Sequence, residues 1–451
     1  MNELDVLIEG ELIGRVRMNK AGRLSFDYEP RWRDSPDGYS LSVSMPIATV
    51  TYSHNLVSSY LWNLLPENPN ILQRWGQQFH VSAASPFKLL KFVGADVPGA
   101  IQFFPPAQLA TIQSQQRPLI DWISLDELEQ RLAQLRSDAA AVRRPGDPGK
   151  MSLPGAQAKT AFCWDSRAKR WGVPSGRAPT THIIKPAVPG FDGLVENEHL
   201  CQDIAARLGL PAAKSSVLTL GGTSYIVIER FDRLPPAQRA AFVQRIHQED
   251  MCQALGLMPG RKYQQDGGPG IADIVSLIRR VSSSPNTDVD RFLDANAFNW
   301  LIGGTDAHAK NYSLLIGAGE EVRLSPLYDL SSQLPYPELV EQRVAMKIGD
   351  HYDIPLMGFT DWQSLASACA VDPEILMNRL RHLADKLPEI ISAARDQALT
   401  DGLNHRVTTD LATLLVRHAK DRRATLDAAP SKRGRKAGKG TTRRGRHAGS
   451  G

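Results

Sequence analysis

The chain has 451 residues, 42% hydrophobic and 22% charged, which is the balance of an ordinary globular protein with length for two or three domains. Its net charge of +5 conceals an asymmetry: residues 431–451 hold eight Lys/Arg and no acid, and subtracting those eight leaves −3 for the rest. No apolar run reaches the roughly 18 residues of a membrane span, and the acidic start "MNELDVLIEG" makes a poor secretory signal. Four scattered cysteines (Cys163, Cys201, Cys252, Cys369) without a CxxC pair, and histidines without HxxxH, argue against a disulfide framework or a helical zinc site and for a reducing cytoplasm.

The first predicted elements are strands. "DVLIEGELIGRVRM" has two apolar stretches around Gly10, and after the turn signal "NKAG" Leu24, Phe26 and Tyr28 alternate with polar neighbours. A mixed region to about Pro106 includes "LWNLLPENPN", whose prolines and asparagines end an apolar segment. "SLDELEQRLAQLRSDAAA" predicts a helix capped by Ser124 with Glu127 three residues on, and "RRPGDPGK" is a hinge-like break. From Met151 the texture is α/β: strand-like "TAFCWD" and "THIIKPA", a helix in "NEHLCQDIAARLGL" stopped by Gly209 and Pro211, then strand, Gly-Gly turn and strand in "KSSVLTLGGTSYIVIERF". Beyond residue 236 the pattern is mostly helical, with "HQED" placed at a helix start and "YQQDGGPG" read as a glycine turn. The tail "SKRGRKAGKGTTRRGRHAGSG" has no core-forming residues and is expected to be disordered.

Chemistry concentrates in "GGTDAHAKNYSLL". Asp306 and Asn311 are separated by four residues, the interval of a protein-kinase catalytic loop, where the Asp takes or orients the acceptor's proton and the Asn holds magnesium. Asp329, eighteen residues after Asn311, follows a predicted hairpin that would return it to Asn311 as a second metal ligand. Upstream, "MSLPGAQAKTAF" offers loop amides for phosphates, Lys185 ends a strand pointing to the same phosphates, and Glu196 or Glu198 on the next helix would orient that lysine. "IVIERFDR" would lead into an adenine-binding connection between lobes. Singly, these parts read as a solvated turn, an edge lysine and a cap; together they stand in kinase order. "HQEDMCQALG" fits helix capping and nucleotide contact equally, the latter through Gln248.

These motifs, with "ENEHLCQDIAARLGL", "IERFDR", "YQQDGGPG" and "LSPLYDLSS", resemble the HipA family of bacterial serine/threonine kinases that act as toxins of type II toxin–antitoxin modules; "GRVRM" and "LLPENPN" resemble its N-terminal subdomain. The resemblance implies an α+β, two-lobed kinase-like fold related to lipid kinases. Its expected divisions are an N-terminal subdomain over 1–110, an α/β nucleotide-binding lobe over 111–235, a helical catalytic lobe over 236–425 and a basic tail over 426–451. It implies ATP and magnesium as cofactors, Asp306 as the catalytic aspartate, Asn311 and Asp329 as metal ligands, and Lys185 as the ATP lysine. It puts Leu153, Pro154, Gly155, Ala156 and Gln157 on the phosphate loop, Glu229 and Phe231 on the hinge that receives adenine, and Asp232 near the ribose. Ser152 falls on the serine that such kinases autophosphorylate to inactivate themselves. The implied partners are a helix-turn-helix antitoxin, operator DNA reached through that complex, and an aminoacyl-tRNA synthetase substrate, often the glutamyl enzyme, whose modification slows translation and brings dormancy. Pro154 departs from the small residue usual in this loop and removes one N–H donor. Rival readings are a small-molecule phosphotransferase of the antibiotic type and a catalytically idle partner of a DNA repressor.

Overall fold

The structure, a computed structural model, describes residues 2–144, 146–236, 241–338 and 341–427. The basic tail expected over 426–451 lies almost wholly outside the described residues.

The N-terminal part is a five-stranded antiparallel sheet in the order Thr51–Tyr52, Leu24–Tyr28, Glu11–Met18, Asn2–Ile8, Ile101–Phe104. Glu9 and Gly10, both with positive φ, make the tight turn between its first two strands. Leu24, Phe26 and Tyr28 all point into the core, as their alternation requires. Helices His54–Trp62, Pro69–Gln78 and Pro86–Val93 cover the buried face.

A six-stranded sheet follows, in the order Ser215–Leu220, Thr223–Glu229, His182–Pro186, Thr160–Asp165, Arg170–Ser175, Leu119–Ile123. The predicted helix is present as Leu125–Ser137, with Ser124 accepting the Glu127 N–H. Its Leu128 and Leu132 pack on Phe162, Ile184, Tyr225 and Val227. On the opposite face Ile226 and Ile228 meet Val195 of helix Leu194–Arg207. The period-2 pattern therefore buries the sheet on both sides, with Lys185 on its central part.

The remaining chain is helical around Ile271–Val281, Pro285–Ile302, Phe359–Ala368, Pro373–Thr400 and Arg406–Thr425. Short strand pairings interrupt it. The hairpin Ser313–Gly317/Glu321–Leu324 forms as predicted, but "HQED" does not begin a helix: His247–Asp250 is a third strand on that hairpin, pairing Asp250 with Ser313. Only Asp250 serves as a cap, in a capping box with Gln253. Four consecutive polar letters gave no sign of a strand in which His247, Glu249 and Asp250 are all buried. Arg343–Ile348 and His351–Asp353 form a second, unpredicted hairpin.

One contiguous core runs from Leu4 through Phe298 to Leu415, joining the N-terminal sheet to the helical region. Polar contacts reinforce the junction: Glu249 accepts the Val43 N–H at 2.8 Å, and Glu320 accepts the Ser40 N–H at 2.9 Å. All four cysteines are buried and unpaired. No described helix is long and apolar enough to cross a membrane.

Candidate active site

Strand His182–Pro186 presents Lys185 to the gap between the two regions. Its Nζ donates to Glu198 Oε1 at 2.7 Å and to Asp329 Oδ1 at 2.7 Å. The choice between Glu196 and Glu198 is thus settled by helix phase: Glu198 faces the sheet, and Gln202 one turn later donates to the same oxygen at 3.2 Å. Burial opposes the ammonium, but the two carboxylates outweigh it and hold the Lys185 pKa above the usual lysine value. Burial likewise opposes the Asp329 carboxylate, and Lys185 and Lys159 reverse this and hold it well below the carboxylate range. Asp329 retains 39% side-chain exposure, so an oxygen remains accessible from the cleft.

Helix Pro285–Ile302 ends where Gly303 takes positive φ, and the loop 304–312 turns back beneath the hairpin. Asn311 Nδ2 donates to the Asp306 carbonyl at 2.7 Å, closing the loop across the four intervening residues. Tyr328, next to Asp329, donates to the Lys310 carbonyl at 2.7 Å and lies 2.7 Å from the Ser313 hydroxyl. The hairpin therefore brings the neighbours of Asn311 and Asp329 into contact. Lys310 is not a phosphate ligand: its buried ammonium bonds Asp250 Oδ2 at 2.6 Å and Asn63 Oδ1 at 2.7 Å. Burial, with Lys262 nearby, pushes the His308 pKa down to about 3 and keeps the ring neutral. Burial raises the Asp306 pKa, partly countered by a hydrogen bond from Tyr263.

The segment Leu153–Gln157 lies against the N-terminal part. Pro66 bridges Gly155 in parallel fashion, and the Glu67 N–H donates to the Gly155 carbonyl at 3.1 Å. Gly155 has φ +105, a conformation open to glycine, and an added Cβ would lie 2.5 Å from Lys159 Nζ. Lys159, absent from the sequence reading, donates to the Pro154 carbonyl at 2.8 Å. Burial and the Lys185 charge pull its pKa down to about 8. Gln157 Nε2 donates to the Pro186 carbonyl at 3.0 Å, and Ala156 is exposed at the tip. Ser152 is 0% exposed; its hydroxyl donates to the Leu64 carbonyl at 2.7 Å and its N–H to the Asp96 carbonyl at 2.9 Å. Ser152 is thus tied at both its hydroxyl and its N–H, although it follows the hinge-like "RRPGDPGK".

At the end of strand Thr223–Glu229, Glu229 is exposed and its N–H donates to the Lys214 carbonyl at 2.8 Å, while the Phe231 ring lies 5.6 Å from that of Tyr328. Asp232 and Gln248, expected as nucleotide contacts, are bonded to each other. Asp232 is buried, accepts from Arg230 Nε at 2.9 Å and from the Gly99 N–H at 2.8 Å, and takes the Gln248 amide at 2.9 Å. Beside it Asp96 accepts from Arg233 at 3.0 Å and Arg245 at 2.8 Å. This buried ion network fastens the N-terminal part to the segment that follows strand Thr223–Glu229.

Among the described residues no three His, Cys, Asp or Glu side chains cluster as a metal site. Asn311 and Asp329 supply two hard oxygens, the sparse protein share that suits a magnesium ion completed by nucleotide phosphates and water.

A lysine–glutamate pair in a sheet-rich lobe, facing an Asp-x4-Asn loop and a further aspartate in a helical lobe, defines a kinase-like fold. Residues 4–104 match the HipA N-terminal domain and residues 151–391 the HipA-like C-terminal domain. The chain is 35% identical over 397 residues to a putative kinase, Y4mE, of Sinorhizobium fredii, covering 86% of this chain and 91% of that protein. It is 31% identical over 392 residues to the serine/threonine-protein kinase toxin HipA of Shewanella oneidensis, covering 82% and 86%. The fold superposes on the Shewanella oneidensis HipA in complex with HipB and operator DNA with a TM-score of 0.78 at 26% identity, covering 92% of this chain and 96% of that one. The chain belongs to the HipA family of serine/threonine kinase toxins.

Proposed function

We propose that this chain is an ATP- and magnesium-dependent serine/threonine protein kinase and the toxin of a toxin–antitoxin module. The observation that carries the reading is the single ammonium of Lys185 joining Glu198 and Asp329 across the cleft above the Asp306–Asn311 loop. Asp306 would take or orient the proton of the acceptor hydroxyl as the acceptor oxygen bonds the γ-phosphorus and the bond to the leaving ADP oxygen breaks. Asn311 and Asp329 would hold magnesium, which neutralises charge on the transferring group. Lys185 and the amides of Leu153, Gly155, Ala156 and Gln157 would fix the phosphates, with Glu229 and Phe231 at the adenine end. Positioning and electrostatics would supply most of the acceleration.

The proposed acceptor is an aminoacyl-tRNA synthetase, the glutamyl enzyme first, so that transfer slows translation and leads to dormancy in the cytoplasm. A helix-turn-helix antitoxin would bind the toxin and carry it to operator DNA; the superposed Shewanella oneidensis HipA is itself bound to HipB and operator DNA, which supports this pairing. Self-phosphorylation at Ser152 would require the phosphate loop to leave its buried position, because the hydroxyl faces the Leu64 carbonyl.

The test is incubation of purified protein with γ-labelled ATP and dialysed bacterial lysate, followed by identification of labelled species. A labelled synthetase is the expected result. Label only on a small molecule would make the chain a phosphotransferase, and no transfer would make it an idle repressor partner.

A further inference from the structure

Asp306 keeps 54% side-chain exposure, so packing alone does not fix the direction of its carboxylate. One direct contact does. The Tyr263 hydroxyl donates to Asp306 Oδ1 at 2.5 Å. His308 Nε2 stands 3.9 Å from the same oxygen, beyond hydrogen-bond range, and its ring is neutral. Among the described residues none donates a hydrogen bond to Oδ2. The two carboxylate oxygens are therefore unequal: one is held and one is offered.

Tyr263 is itself held from both sides. Its predecessor Lys262 bonds Glu67 Oε2 at 2.7 Å, places its ammonium 5.3 Å from the Tyr263 ring centre, and accepts the Ala309 N–H at 3.2 Å through its carbonyl. Its successor Gln264 accepts the Lys347 N–H at 2.7 Å, and the Gly268 N–H closes a turn on the Tyr263 carbonyl at 2.9 Å. The ring meets His308 edge-on at 4.9 Å. A phenol so fixed can direct a flexible carboxylate at little entropic cost. Burial and the Asp306 charge raise the phenol's pKa, so it remains a donor.

We propose that Tyr263 is a positioning residue for phosphoryl transfer: its hydroxyl anchors Asp306 Oδ1 and turns Oδ2 toward the acceptor hydroxyl. The glycine-rich turn after Tyr263 is the support that sets this bond, and Glu67 extends the support into the N-terminal part. The inference rests on Asp306 being the catalytic aspartate.

The experiment compares Tyr263→Phe, Asp306→Asn and the double variant, as full-length proteins, in label transfer from γ-labelled ATP to protein in dialysed bacterial lysate. Tyr263→Phe should lower the rate at saturating ATP about 10- to 100-fold, while the KM for ATP and the calorimetric ATP affinity stay within about twofold. In the Asp306→Asn background, loss of the hydroxyl should have no further effect, because it acts through that carboxylate. A wild-type rate in Tyr263→Phe overturns the proposal. So does a faster rate, which would make the phenol an occupant of the acceptor position. A loss carried by ATP KM and affinity would reduce Tyr263 to a structural contact and also overturn it. A wild-type rate in Asp306→Asn instead overturns the reading of Asp306, whatever Tyr263→Phe does.

Discussion

Lys185 Nζ lies 2.7 Å from both Glu198 Oε1 and Asp329 Oδ1, so one buried ammonium links the sheet-rich lobe to a residue of the helical lobe. Asp329 holds φ +59, a left-handed conformation that Asp tolerates better than most side chains. Lys185→Met leaves two carboxylates converging without a cation, and we expect ATP-dependent transfer to fall by about a hundredfold or more. Asp329→Ala should reduce the transfer rate more than calorimetric ATP affinity in magnesium, because its charge acts chiefly on the transferring group. Full activity in Asp329→Ala would remove it from the site.

Ser152 gives the second prediction. A phosphate there adds about −1.5 to −2 charges where a neutral hydroxyl now bonds a carbonyl, so the modified loop must leave its place. Mass spectrometry should find Ser152 phosphate on the wild type and none on Asp306→Asn; equal amounts on both would assign the modification to another kinase. Ser152→Asp should weaken ATP binding by about tenfold, since one buried carboxylate beside the Leu64 carbonyl is itself unfavourable.

Much of this was legible in the letters because it depends on local order. Strands 2–8, 11–18 and 24–28, the Ser124 cap, the helix 194–207 and the hairpin before Asp329 follow from periodicity and turn chemistry. The family resemblance of both halves was legible in the same way. What stayed hidden depends on contacts between segments far apart in sequence. Glu198 could be told from Glu196 only by where the sheet lay. The ion network around Asp232 was not legible because Asp96, its neighbour there, is 136 residues away. Tyr263 stood in what read as a glycine turn, and only the fold sets its hydroxyl on Asp306, 43 residues on.

That ion network supplies a third prediction. Asp96 is buried among Arg230, Arg233 and Arg245, which hold its carboxylate far below the usual range against the opposing effect of burial. Asp96→Ala leaves three guanidinium groups to the single Asp232 carboxylate and also frees the Thr180 N–H, which now donates to Asp96 at 2.9 Å. Breaking such a buried arrangement costs about 3–5 kcal/mol, seen as a lower urea midpoint. A midpoint within error of wild type would mean that the cluster is hydrated in solution.

The last prediction concerns Glu249, which links the catalytic lobe to the N-terminal sheet. Oε1 accepts the Val43 N–H at 2.8 Å, while Oε2 is buried without a partner. Burial pushes its pKa up to about 8, with nearby Asp250 adding to the rise and the Val43 hydrogen bond and the nearby Ser42 hydroxyl opposing it. Asp250 is itself bonded to Lys310, so the local negative charge is partly balanced. Because the folded pKa is raised, the fold favours protonated Glu249. That contribution is fully present below the unfolded glutamate pKa and is lost as pH climbs through about 8. Glu249→Gln keeps an acceptor for Val43 and places an amide donor where Oε2 now lacks a partner; the Tyr60 hydroxyl is another buried unpartnered group, and burial with the nearby Glu249 carboxylate keeps it neutral. The variant should match the wild type near pH 5 and exceed it by about 2 kcal/mol near pH 9, at most a few. The measurement is the difference between the two proteins in urea unfolding at each pH, in which other titrating groups largely cancel. A difference that stays flat across this range would show that Glu249 is already ionised in the folded protein at neutral pH.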